Sequence, residues 1–175
     1  MVDLDSRAWY AVYVMPQSEK KLSKILDRFR IENYLPLVPK QRKWSDRIKT
    51  IHFPLFPGYV FVHIEYWKQR LAVLQTLSAL RFVEIKGMPA RLAAEEMESL
   101  KILVNAQADL QAHPEENFPP GQRVRVRSGM LKGVIGVVGK VKNKDRIFVK
   151  LEQCNLFASA ELDIVDVERL SPEML

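Results

Sequence analysis

The sequence predicts an α+β protein in two parts. An N-terminal α/β sandwich, an antiparallel sheet flanked by helices, is followed by a small five-stranded β-barrel. Three observations predict it. From Ala8 to about Leu110, strand-like runs alternate with helical periodicities. From Arg123 to Val167, the runs RVRV, VIGVV, RIFVKL and SAELDIV are short, β-branched and separated by glycines. Between these regions, AHPEENFPP is polar, acidic, proline-rich and without a period, as a linker is. The expected boundaries are 7–111 for the first domain, 112–119 for the linker and 120–171 for the second. No repeat of fixed period occurs.

Ala8 to Met15 contains WYAVYV, aromatic and β-branched, and reads as a strand ended by Pro16. Ser18 is placed to cap the next helix, with Glu19 favourable in its first turn. Leu22, Ile25, Leu26 and Phe29 then recur at helical spacing. Tyr34 to Val38 predicts a short edge strand, because Pro36 and Pro39 cannot donate to a ladder. Lys40 to Thr50 is a polar, basic excursion. PGYVFVHIE, from Pro57 to Glu65, is the strongest strand signal in the chain. Trp67, Leu71, Leu74 and Leu77 suit a second helix, and Leu80 to Ile85 another strand, broken by Gly87, Met88 and Pro89. Ala93 to about Leu110 predicts a third helix. It has Glu95, Glu96 and Glu98 at its start, and Met97, Leu100, Leu103 and Val104 on its apolar face. Gly129, Gly133, Gly136 and Gly139 fall where tight turns or bulges would bend a small barrel.

The 175 residues carry 27 Lys and Arg against 21 Asp and Glu, a net charge of +6 that suits a nucleic-acid partner. Charge is segregated. Nine basic residues and one acid lie between Gly121 and Lys150, whereas Leu151 to Leu175 has six acids and one base. The single cysteine, Cys154, excludes an intrachain disulfide and a cysteine-rich zinc site. MVDLDSRAWY lacks the apolar core of a secretory signal, and Ile51 to Ile64 is too short to span a bilayer, so a soluble cytoplasmic protein is expected. His52, His63 and His113 have no metal-ligand spacing. Neither GxxxxGK[ST] nor GxSxG occurs, and Cys154 has no cationic partner to activate it. No catalytic, cofactor-binding or metal residues are expected, and the chain does not read as an enzyme.

Three motifs remain. In LFPGYVFV (Leu55–Val62), alternation places Tyr59, Phe61 and His63 on one strand face and Val60, Val62 and Ile64 on the other. The aromatic face, joined by Trp9 and Tyr13, is either a protein-binding patch or a second buried core. KQRKWSDRIK (Lys40–Lys49) interleaves bases with Trp44, as a phosphate backbone with a stacked base requires; a solvated loop is the other reading. GQRVRVRSGMLKGVIGVV (Gly121–Val138) has the spacing GxxVRVxxGxxKGxxGxV and matches the KOW motif of small barrels. Its residues Arg125, Arg127, Gly129, Lys132, Gly133 and Gly136 serve barrel geometry, RNA contact or both.

The ordered set WYAVYVMPQSEKK, FPGYVFV, linker, KOW motif and ELDIVDVERL resembles the NusG family from about Trp9 to Leu170. YLPLVPKQRKWSDRIKTIHFPLFPGYVFVHI is similar to the specialised paralogues called UpxY, which act on operons for surface polysaccharides. The resemblance implies an N-terminal (NGN) domain that grips the RNA polymerase clamp helices through an aromatic pocket. Phe56 and Tyr59 match the pocket positions, with Trp9, Tyr13 and Phe61 as further candidates. It also implies contact of the basic excursion (Arg42, Lys43, Trp44 and Arg47) with upstream DNA or the non-template strand. The expected action is antitermination and processive elongation by a monomer that holds the polymerase closed. Family members carry a motif like IFGRxTPVEL that docks Rho or a ribosomal protein. Here LEQCNLFASAELDIV lacks its glycine, arginine and TPV elements, which argues against Rho and leaves a ribosome contact open. The competing reading is an RNA-binding or ribosome-associated KOW protein without polymerase contact.

Overall fold

The computed structural model describes residues 6–43, 47–106, 109–113, 119–162 and 167–170. The chain divides into two compact units, Met1–Ala93 and Ala94–Leu175.

In the first unit, β1 (Arg7–Val14) is central. Along its whole length it pairs antiparallel with β5 (Tyr59–Glu65). Its other edge is shared by β6 (Ala79–Phe82) and β9 (Arg91–Leu92). β2 (Asn33–Tyr34) extends the sheet beyond β5. Helices α1 (Glu19–Arg28) and α2 (Tyr66–Leu74) share one core with the sheet: Leu22, Leu26, Tyr66 and Val73 pack with Tyr10, Val12, Val60, Val62 and Ile64. That alternate set is the apolar face predicted for the FPGYVF strand, and its burial is the main driving force for the unit.

The helices differ from expectation in detail. Ser18 occupies the N-cap position, but its side chain makes no capping bond. α1 stops at Arg28, so Phe29 lies at the cap and is exposed rather than completing the stripe. On α2 the buried residues are Tyr66 and Val73. Trp67 and Leu71, whose spacing suggested the helix, are on its exposed side, and Leu77 lies past its end. The basic excursion is a two-stranded ribbon of β3 (Leu37–Lys43) and β4 (Ile48–Pro54). A smaller hairpin joins β7 (Glu84–Ile85) and β8 (Met88–Pro89).

The second unit opens with α3 (Ala94–Asn105), followed by β10 (Gln111–His113), β11 (Arg123–Val126), β12 (Ile135–Val141), β13 (Lys144–Leu151), β14 (Leu156–Glu161) and β15 (Val167–Arg169). The strands form an antiparallel sheet in the order β10-β14-β13-β12-β11-β15. Leu103 of α3 joins Val124, Val126, Ile147, Val149 and Ala160 in one core. The sequence led to a barrel of five strands. Among the described residues the pairings instead form an open six-stranded sheet, and none closes a barrel. The extra strand is β10, whose Ala112 and His113 were read as linker and pair with Ala158 and Phe157 on the edge of β14. Gly136, expected at a turn or bulge, lies within β12. A Cβ there would sit 2.3 Å from the Phe148 carbonyl oxygen, so glycine permits close approach of two strands.

Candidate functional site

The β1–β5 register builds an aromatic ladder. Trp9 lies opposite His63, Ala11 opposite Phe61, and Tyr13 opposite Tyr59. Trp9 and His63 stack with ring centroids 4.9 Å apart. His63 Nδ1 lies 2.7 Å from Glu32 Oε2. Phe56 meets Phe61 edge-on at 6.2 Å. Tyr13 and Tyr59 lie 4.8 Å apart, and the Tyr59 hydroxyl donates to the Tyr13 hydroxyl at 3.0 Å. The ladder is graded in accessibility. Trp9, Phe56 and Phe61 are 5%, 4% and 0% exposed, whereas Tyr13 and Tyr59 are only half-buried.

The accessible end is set by the turn Phe56-Pro57-Gly58-Tyr59. Gly58 has φ +83°, and the Tyr59 N–H donates to the Phe56 carbonyl at 3.3 Å. Proline second and a left-handed glycine third is the sequence a type II turn requires. The turn is held from outside by Glu19, only 5% exposed, whose Oε1 accepts from the Gly58 N–H at 2.8 Å. Val14 N–H also donates to the Gly58 carbonyl at 2.9 Å. A buried carboxylate satisfied by a backbone N–H is a strong positional constraint. Sequence reasoning placed Glu19 only as a favourable helix-start charge. Its partner is 39 residues away, and no local pattern reveals that contact.

The basic ribbon presents Arg42, Lys43 and Arg47 as exposed side chains. Trp44, expected with them, lies outside the described residues. Arg42 is directly opposite Lys49, and Lys40 opposite Ile51. These pairs alternate with the Lys43–Ile48 and Gln41–Thr50 pairs, so Arg42, Lys49 and Lys40 share one face. Lys40 Nζ stands 5.9 Å from the centre of the Phe53 ring. Facing cations destabilise a ladder, and a bound polyanion would relieve that repulsion. Lys20 on α1 anchors the ribbon through the His52 carbonyl.

In the second unit, Arg125, Arg127, Gly129, Lys132 and Gly133 are exposed on β11 and the connection to β12, whereas Gly136 is buried. Elsewhere in this unit the sequence concealed a buried cation. Arg146 on β13 is 2% exposed. Its Nε donates to Ser159 Oγ at 2.7 Å, its Nη2 to the Ser159 carbonyl at 2.9 Å, and its Nη1 to Asp109 Oδ2 at 2.9 Å. His113 Nε2 lies 2.7 Å from the same Ser159 Oγ, and its ring stacks on Phe157 at 5.8 Å. The hydrogen bond from Arg146 holds the Asp109 carboxyl below its ordinary range. Burial, reinforced by the Arg146 charge, lowers His113. The network ties β10 to β14.

Burial, and then the Glu96 charge, push the Cys154 thiol up to about 12, away from a reactive thiolate. Among the described residues, no group of three His, Cys, Asp or Glu side chains could hold a metal, and no helix is long and apolar enough to cross a membrane.

The aromatic ladder, the basic ribbon and the exposed arginines of the second unit are set on a mixed α/β fold of mostly strands, with three helices among the described residues. Residues 7–101 match the family model described as "Transcription termination factor nusG". The chain belongs to the NusG family. It is similar to the "Transcription termination/antitermination protein NusG" of Chlamydia pneumoniae, 26% identical over 94% of this chain and 96% of that protein. It is also similar to the protein so named in Borreliella burgdorferi, 23% identical over 94% and 100%. A solved structure described as "Domain interaction in Thermotoga maritima NusG" aligns with 96% of this chain and 99% of that one, at 20% identity and a TM-score of 0.49.

Proposed function

We propose that this protein binds RNA polymerase and acts as an elongation and antitermination factor, in the UpxY manner, at specific operons such as those for surface polysaccharide synthesis. The observation that carries the reading is the graded aromatic ladder ending at the pinned FPGY turn. Trp9, Phe56 and Phe61 are the buried part of the ladder, and Tyr13 and Tyr59 are its accessible end, where the partner would dock. Preformed aromatic sites of this kind capture an apolar helix with little ordering cost. The occupant in this reading is the pair of clamp helices. The ribbon residues Arg42, Lys43 and Arg47, with Trp44, then meet upstream DNA or the non-template strand. In the second unit the KOW-like spacing of Gly121–Val138 supports a KOW role in this reading, with the exposed Arg125, Arg127 and Lys132 as the surface for ribosome or RNA. Bound to both polymerase and DNA, the factor favours the closed enzyme only so far as it binds that state more tightly.

The test is a pull-down of purified core RNA polymerase by the wild-type chain and the Tyr13→Ala, Tyr59→Ala double variant. Phe56 is a poor first choice, since truncating a buried phenylalanine costs about 3–5 kcal/mol of stability. Capture by wild type and at least about tenfold weaker capture by the folded double variant is expected for a loss of hot-spot contacts. Equal capture refutes the pocket. No capture by wild type, with RNA retained through Arg125 and Arg127, favours the RNA-binding reading.

A further inference from the structure

The accessible end of the aromatic ladder carries a cation that neither the motif nor the family match singles out. Arg81 on β6 lies opposite Tyr13 across the β1–β6 ladder. Its side chain is exposed, and its guanidinium carbon sits 4.5 Å from the centre of the Tyr13 ring. Tyr13 in turn packs on Tyr59 and shares a hydroxyl hydrogen bond with it. Guanidinium and two phenol rings therefore form one preorganised set, ending at the FPGY turn. An arginine stacked on a ring keeps its in-plane N–H fork free to bond outward, and carboxylate is the planar acceptor matching that fork. Among the described residues, Arg81 has no carboxylate partner.

The surroundings decide which anion. The register shifts between Tyr13 and Val14, leaving Leu80 out of the ladder and 58% exposed. Met15, 45% exposed, is held beside it by its N–H bond to the Ser78 carbonyl at 3.0 Å, and Leu77 is exposed next to Ser78. Arginine among exposed Met and Leu and half-buried Tyr is the composition of a protein-interface centre. A phosphate backbone asks instead for several cations in a row, as on the β3–β4 ribbon.

We propose that Arg81 is a specificity residue of the aromatic site: it receives a carboxylate of the partner protein, presented from an otherwise apolar helix that covers Tyr13, Tyr59, Met15 and Leu80. The inference rests on the polymerase reading and adds to it the chemistry the partner must present. It is tested by titrating labelled full-length chain with purified core RNA polymerase at low and high salt, for wild type, Arg81→Lys, Arg81→Gln and Arg81→Glu, with a single-stranded DNA oligonucleotide as parallel ligand. Thermal melts check that each variant folds, which an exposed position permits.

Arg81→Gln is expected to weaken polymerase binding about tenfold, Arg81→Glu further, and Arg81→Lys partially, because lysine keeps the charge without the bidentate fork. The wild-type advantage over Arg81→Gln should shrink at high salt. DNA binding should be unchanged throughout. Polymerase binding equal in all four proteins overturns the proposal while leaving the pocket reading intact. Loss of DNA binding without loss of polymerase binding overturns it in favour of a phosphate site. Absence of wild-type binding overturns both.

Discussion

Ser159→Ala should destabilise the second unit out of proportion to the one oxygen removed. Ser159 is fully buried, and its Oγ is the acceptor for Arg146 Nε at 2.7 Å and the partner of His113 Nε2 at 2.7 Å. The variant leaves a charged donor of a side chain only 2% exposed without its acceptor, at about 2–3 kcal/mol. It also strips a half-buried imidazole of a partner, adding about 0–1 kcal/mol. The predicted total is about 2–4 kcal/mol, or about 30- to 700-fold faster exchange for β13 and β14 amides that exchange by opening of this unit. Asp109→Ala is the comparison. The Asp109 side chain is 57% exposed, so water replaces much of what it gives Arg146, and about 0.5–1 kcal/mol is expected. Hydrogen exchange read residue by residue is the suitable assay, because Trp9, Trp44 and Trp67 all belong to the first unit. A Ser159→Ala effect below about 0.5 kcal/mol, or one no larger than that of Asp109→Ala, would show that Arg146 is solvated in solution and refute the reasoning.

The same network makes the second unit acid-sensitive. His113 titrates below its ordinary 6.5 and Asp109 below its ordinary 3.8 when folded. In both cases the unfolded chain binds protons first, so stability is full above the ordinary value and is lost as pH falls through the folded one. Urea midpoints should therefore drop in two stages below neutrality, and His113→Gln should abolish the upper stage alone. Removing one of two facing cations with Lys49→Ala should strengthen the ribbon by about 0.2–1 kcal/mol, read as slower exchange of ribbon amides. It should also weaken single-stranded DNA binding and reduce the salt slope by about 0.7, the signature of one lost phosphate contact. Gly58→Ala meets no atom within 4 Å, so its cost is the left-handed backbone alone, about 1–2 kcal/mol in thermal melts. Gly136→Ala drives a methyl into the Phe148 carbonyl and should separate β12 from β13, costing about 1–3 kcal/mol or more.

Much of the first unit was legible because its signals are local. Strand alternation in YVFVHIE has period 2, so one choice of face fixes every residue, and Val60, Val62 and Ile64 lie in the core as that pattern requires. Pro57-Gly58 announces its turn for the same reason: the backbone angles are properties of those two residues. α2 shows where local reading fails. Trp67 and Leu71 have helical spacing, and the helix is there, but Tyr66 and Val73 face the sheet because the orientation of a one-sided helix is settled by what it packs on. The basic excursion carried no strand signal in the sequence, since lysine is mildly disfavoured in strands, and cross-strand pairing overrides a weak local preference.

By itself the sequence determined the aromatic and apolar faces of β5, the basic composition of the ribbon, the KOW spacing and the kinship to the NusG family. The kinship rests on a resemblance over nearly the whole chain, and the other features follow from composition, period or spacing within a short window. Only the tertiary structure decided that Glu19 pins the FPGY turn, that Arg81 stacks on Tyr13, that β10 takes the edge of β14, and that Arg146 is buried between Asp109 and Ser159. These contacts join residues far apart in the chain. Their free energy depends on burial and geometry, which exist only once the backbone has brought the partners together.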